Sequence, residues 1–211
     1  MERDDSGAVV YSGGVDSKGN AVDMAGKAID AMQNLGKSYA QLDGYYPRPK
    51  AMFFSDFMCQ MYMCGYYFPF SMEANYNDVM SIMKKPATMC HELAHIRGYI
   101  YEDEANFISY LACYSSSSVE LQYSGTMMAL THATNRLYRY DSTAWQEIEK
   151  QLPMGVLRDL AANSRYWKKY ETPVGETADR WNDAYLKVND QTDGVQSYGR
   201  MGDLLIAFYR A

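Results

Sequence analysis

The chain has 211 residues, 47% of them hydrophobic and 22% charged, proportions of a single folded domain that exclude intrinsic disorder. A net charge of −6 and a pI near 5.1 remove the attraction on which binders of nucleic acid or anionic membranes depend. Only 3 histidines stand among 20 tyrosines and 15 methionines, so the places where histidine occurs carry unusual weight.

Residues 1–16 are polar and rich in Gly and Ser, with Gly13-Gly14 marking a turn, and read as a loosely held lead-in to one domain over 17–211. From Asp16 to about Leu42 the pattern is helical, with Ala21, Met24, Ala28, Ile29 and Met32 spaced to share a face. Tyr46-Pro47-Arg48-Pro49 breaks it. Ala51–Ser55 and Tyr66–Asn77 are aromatic and read as short strands, the second an edge strand because Pro69 cannot donate to a ladder.

After Pro86 the chain reads as helix, over about 86–98, 102–116, 119–140, 142–151, 153–170, 174–188 and 197–210. Val119, Tyr123, Met127, Leu130 and Leu137 form an apolar stripe on the third of these. The expected fold class is α+β, predominantly helical, with a small aromatic sheet near the N-terminus.

Cys59, Cys64, Cys90 and Cys113 match neither a CxxC pair nor a zinc ribbon. Each lies in an apolar stretch and reads as a small hydrophobe, with a Cys90–Cys113 bridge left open. No apolar run reaches the roughly 18 residues of a membrane span. Met1-Glu2-Arg3-Asp4-Asp5 is not a signal peptide. The expectation is either a cytosolic protein or a soluble domain of a longer chain.

Cys90-His91-Glu92-Leu93-Ala94-His95 contains HExxH. On a helix, positions four apart lie about 40° from eclipsed and about 6 Å apart along the axis. Two imidazoles so placed can hold one Zn2+ ion, and Glu92, rotated by about 100°, reaches water on the ion instead of the ion itself. The ion lowers the pKa of that water toward about 7, and Glu92 takes its proton as general base. Pro86 suits the first turn of this helix and Gly98 its end.

A catalytic zinc needs a third protein ligand and an open position. In a helix starting near Glu102, Glu104 falls with Phe107, Ile108 and Leu111 at i, i+3, i+4 and i+7, on a buried face. A buried carboxylate is costly unless paired or metal-bound, so Glu104 is the expected third ligand of a His2Glu site. Glu102 and Asp103 have a simpler explanation, since acids favour a helix N-terminus. His132 sits off its helix's apolar stripe and reads as a surface or hydrogen-bonded histidine.

HELAH followed by EDEANF resembles the gluzincin kind of zincin metallopeptidase, and its ExEAN spacing resembles peptidases of mobile elements that act on repressors. Several further stretches resemble the bacterial family catalogued as domain of unknown function 3810. They are Tyr67–Phe70 running into Glu73–Asn77, Thr88–His95, Glu102–Cys113 and Ser197-Tyr198-Gly199-Arg200. The resemblance implies zinc ligands at His91, His95 and Glu104 and a base at Glu92. It also implies a membrane protein whose N-terminal helices lie outside this sequence, with this domain outside the cytoplasm. Ile108 stands where the best-known gluzincins carry an aspartate that orients a histidine, so Asp103 or Asn106 is expected to support the ligands.

The Tyr66–Asn77 strand is expected along the cleft, pairing with an extended peptide. Glu73, Asn75 and Asn77 alternate at period two and are the candidate substrate-binding side chains. Tyr198, beside Gly199, is the candidate oxyanion donor. The function expected is zinc-dependent hydrolysis of a peptide or of peptide parts of the cell envelope. Its rival is a non-hydrolytic zincin-like sensor or ligand-binding domain of a membrane protein, which would suit the adaptable Tyr/Met surface.

Overall fold

The polypeptide carries two short strands, a three-stranded sheet and a set of helices that pack around one of their number. A computed structural model describes residues 2–10, 23–171 and 200–210. Strands β1 (Glu2–Arg3) and β2 (Val9–Val10) form an antiparallel hairpin. Helix α1 (Met24–Gly36) follows, its N-terminus capped by Asp23, whose carboxylate accepts from the Gly26 amide at 2.8 Å. A 3-10 turn at Ala40–Leu42 leads to β3 (Lys50–Met52), α2 (Ser55–Gln60), β4 (Gly65–Phe68) and β5 (Glu73–Asn77). Then come α3 (Lys85–Ile96), α4 (Glu102–Ser115), α5 (Val119–Tyr140), α6 (Ser142–Glu149), α7 (Met154–Lys168) and α8 (Met201–Arg210). The α+β, mostly helical class is as expected. None of the described helices is long and apolar enough to cross a membrane.

The lead-in differs from expectation. Arg3 makes two bonds to Asp159 of α7, at 2.8 and 3.0 Å, and the Val9 amide donates to the same carboxylate at 2.7 Å. Tyr123 of α5 donates to it as well. A buried carboxylate with three donors holds residues 2–10 against the helices, and Val9 joins Met83 and Met127 in a small apolar cluster.

The sheet order is β3-β5-β4, with β3 parallel and β4 antiparallel to β5. The stretch expected as one strand over Tyr66–Asn77 is therefore a hairpin. Pro69 falls in its turn, which closes through Met72 at φ 55°, and β5 is central while β4 is the edge. Residues 53–55 leave the expected strand to enter α2. On one face of the sheet Ala74 is fully buried in the main core and Tyr67 packs against it. That face rests on α3.

Helix α3 is the hub, packed on α1, α4, α5 and the sheet. Cys90, Leu93 and Ala94 are fully buried along it. Its N-terminus has no side-chain cap of its own; Ser124 of α5 supplies one, accepting from the Ala87 amide at 3.0 Å. Ser109 of α4 donates to the Ala87 carbonyl at 2.6 Å. Of the expected α5 stripe, Met127 is buried with Val9 and Met83 in the small cluster, and Tyr123 and Leu130 pack against it. Leu121, Ser124 and Gly125 face the main core, while Val119 is 58% exposed. Helix α5 comes so close to α4 that any Cβ at Gly125 would collide with Cβ of Cys113.

Candidate metal centre

His91 and His95 lie one turn apart on α3, near its C-terminal end. Their rings meet edge to face, with centroids 4.6 Å apart and Nε2 atoms 3.0 Å apart. The helix ends at Arg97, and Gly98 at φ 86° reverses the chain. The carbonyl of Tyr99 then comes back to His95 Nδ1 at 2.7 Å. A carbonyl only accepts, so Nδ1 carries the hydrogen and Nε2 turns a lone pair toward His91. The Tyr67 ring of β4 stacks on the other side of His95, 6.1 Å between centroids.

The same reversal starts α4 at Glu102, and it is the carboxylate of this residue that reaches the imidazoles. Its oxygens lie 3.2 Å from His91 Nε2 and 3.8 Å from His95 Nε2. Ligand atoms of all three residues fall within 4.8 Å of one another. Corners of a tetrahedron around zinc, with bonds of about 2.0–2.1 Å, are about 3.3 Å apart, and the three observed separations straddle that value. Two imidazoles and one carboxylate are also a donor set that zinc uses.

Glu104, the residue expected in this role, is not in the cluster. It is half-buried near Asp103 and Arg200, and its carboxyl is pushed up by burial and by the Asp103 charge. The reason lies in how α4 faces α3. Glu102, Asn106, Ser109 and Cys113 share the inner face with Ala105 and Ala112, a stripe of small and polar groups that lets the two helices approach closely. Apolar periodicity picked out a neighbouring stripe. Cys113 reaches Cys90 across this contact at 3.8 Å, both as buried free thiols.

The electrostatics are those of a site holding a proton where a cation fits. Burial pulls His91 down, but the Glu102 hydrogen bond and charge, with Glu92 adding, push it up to about 9. Burial and the neighbouring His91 charge pull His95 down to about 4. Burial works against ionisation of Glu102, yet its bond to His91 keeps it below the ordinary carboxylate range. At neutral pH His95 is therefore neutral and Glu102 ionised, and His91 holds the proton between them.

Glu92 is 5% exposed. Burial, opposed by His91 and assisted by Glu102, pushes its carboxyl up to about 8. It lies against Gly65 of β4, where an added Cβ would stand 2.8 Å from Glu92 Cγ and Cδ. Glycine is needed there because the carboxylate occupies the space a side chain would take. Gly65 was not singled out from the sequence, and Tyr67 entered only as part of a longer stretch with no role of its own; the glycine at a strand's first position was the available signal.

The remaining expected site residues fall elsewhere. Asp103 pairs with Arg200 at 3.2 Å, while Asn106 lies beside the His91 imidazole. His91 Nδ1 is buried without a hydrogen-bond partner among the described residues. Glu73 is paired with Lys50 on the sheet's outer face. Asn75 donates to the carbonyls of Tyr66 and Glu73. Asn77 is wholly buried, donating to Cys59 Sγ and the Met63 carbonyl and accepting from the amides of Val79 and Met80. These asparagines hold the sheet and its following turn together and do not face an open cleft. Tyr198 lies outside the described residues. His132 is half-buried on α5, apart from the cluster.

A family model described as "Protein of unknown function (DUF3810)" matches residues 3–206. Comparison with curated proteins and with solved structures gives no match.

Proposed function

We propose that this chain, which belongs to the DUF3810 family, is a zinc-dependent peptidase of gluzincin-like, zincin-type architecture. In this reading His91, His95 and Glu102 hold one ion and Glu92 is the general base. The observation that carries it is the convergence of His91 Nε2, His95 Nε2 and the Glu102 carboxylate, with Glu92 next to His91 on the same helix.

Zinc bound there supplies Lewis acidity, polarising water and a substrate carbonyl. Glu92 takes the proton of the attacking water and passes it to the departing amine, so that the C–N bond breaks with water's atoms divided between the products. A carboxyl whose affinity for protons lies near neutrality suits both halves of that transfer. The hydrogen bond from His95 Nδ1 to Tyr99 fixes the tautomer that a ligand needs. The outer edge of β4, which pairs with no further strand among the described residues and starts at Gly65 against Glu92, offers main-chain groups to an extended peptide. The intact Glu92 favours hydrolysis over a non-catalytic sensor, which has no use for it. Attachment to a membrane, with the site outside the cytoplasm, is part of the proposal and rests on the family likeness alone.

The test is a cleavage screen of mixed peptides and cell-wall fragments with the zinc-loaded protein, read by mass spectrometry. Wild type cleaves, and Glu92→Gln loses at least about a hundredfold while keeping one zinc. Full activity in Glu92→Gln refutes the role of that carboxylate. A zinc-loaded wild type that cleaves nothing yet binds a peptide points to the sensor instead.

A further inference from the structure

Strand β4 alternates between two environments. Gly65 and Tyr67 turn toward α3, one against Glu92 and the other on His95. Tyr66 and Phe68 turn to the opposite face and are partly exposed, at 41% and 39%. On that face Tyr66 closes an apolar pocket of about 300 Å3 whose other walls are Met52, Phe54, Met58, Met61 and Met63. From Tyr66 an aromatic track runs outward through Phe68 to Phe70, with centroids 6.2 and 5.6 Å apart, and Phe70 is 92% exposed.

A peptide added to the outer edge of β4, unpaired among the described residues, inherits the same alternation, because side chains along a strand point to opposite faces in turn. The residue facing Gly65 has its main chain beside Glu92. Its neighbour, facing Tyr66, projects its side chain to the methionine side. The pocket is thus about one residue's rise, roughly 3.4 Å along the strand, from the position beside the proposed base. Its volume lies at the lower end for ligand pockets and suits one side chain better than a folded ligand. Methionine walls are flexible and polarisable, and they adapt to large apolar groups of different shape.

We propose that this pocket is the specificity subsite for a large apolar side chain next to the cleaved bond. Bound peptides carry Phe, Leu or Met there and reject Asp or Lys. The proposal rests on the peptidase reading for the identity of its occupant. The pocket selects by burial, so it discriminates at the binding step whether or not cleavage follows.

The experiment uses zinc-loaded Glu92→Gln, which holds peptide without turning it over, and a set of fluorescent peptides varied at one position. Binding at least about tenfold tighter for Phe or Leu than for Asp is expected. Met61, which is half-exposed, gives two variants in that background. Met61→Glu reverses the preference toward Lys, and Met61→Trp fills the pocket and shifts the preference to Ala, with zinc content unchanged in both. Unchanged selectivity in two folded variants overturns the subsite, as does peptide binding with no apolar preference. So does an apolar surface that proves to seat a second copy or a lipid vesicle, read as a dimer or vesicle binding lost in Met61→Glu without peptide selectivity. If selectivity holds while wild type cleaves nothing, the subsite stands and the peptidase reading falls.

Discussion

The Glu102 carboxylate stands 3.2 Å from His91 Nε2 although the two residues belong to different helices. The reversal at Gly98 sets that distance, because it starts α4 with its first residue facing the C-terminal end of α3. Three consecutive acids open α4, and only the first is turned to the imidazoles. The second, itself buried, pairs with Arg200, and the third lies half-buried near them.

The proposed metal binding should depend on pH with a defined sign. His91 is raised from its ordinary value to about 9, so at pH 7 its Nε2 carries a proton that the ion must displace. Zinc affinity therefore rises about tenfold per pH unit between 7 and 9 and then levels. Calorimetry in buffers of different ionisation enthalpy should show about one proton released per ion at pH 7. Affinity that is flat over this range contradicts the assignment. In the metal-free protein the same raised value stabilises the fold fully below pH 6.5, and that contribution is lost as pH rises through about 9.

Gly65→Ala places a methyl group against Glu92. None of the three proposed ligands is touched, so zinc stoichiometry is expected to stay at one. The carboxylate or the strand must shift, and misplacement of about 1 Å at a reacting group costs on the order of a hundredfold in kcat/KM. Peptide turnover equal to wild type would show that Glu92 has room the structure does not give it.

Asp159 holds the N-terminal hairpin to the helices. Asp159→Ala leaves the Val9 amide, the Tyr123 hydroxyl and Arg3 without their shared acceptor. Arg3 is partly exposed and recovers hydration, which sets the loss at about 3 kcal/mol, near the lower end for a broken buried pair. In a domain of this size that lowers Tm by on the order of 10 °C, with zinc content unaffected. A thermal melt coincident with wild type would mean that residues 2–10 contribute nothing to the fold.

Helices α3, α4 and α5 were legible to within two residues, because Pro86, Gly98 and the amphipathic repeat act locally. The HExxH pair was legible for the same reason: a spacing of four on a helix fixes a shared face. The carboxylate that joins them in the cluster was not. Its face is marked by Ala105, Asn106, Ser109, Ala112 and Cys113, small groups that set helix separation but carry little hydropathy, whereas Phe107 and Leu111 draw the eye to the wrong stripe. The hairpin was misread because Tyr and Phe fill its strands and flank its turn alike. Asn75 and Asn77 resembled a polar outer face, yet burial with satisfied hydrogen bonds gives the same alternation. Helix α2 went unseen, since six residues are too few to show a period.

The most direct test is zinc binding by equilibrium dialysis at pH 8 with wild type, Glu102→Ala and Glu104→Ala, each checked for native helix content. Wild type and Glu104→Ala should each hold one ion with similar affinity, and Glu102→Ala should bind at least about a hundredfold more weakly, as expected when one of three protein ligands is removed. Undiminished binding by Glu102→Ala, or loss confined to Glu104→Ala, would contradict the site described here.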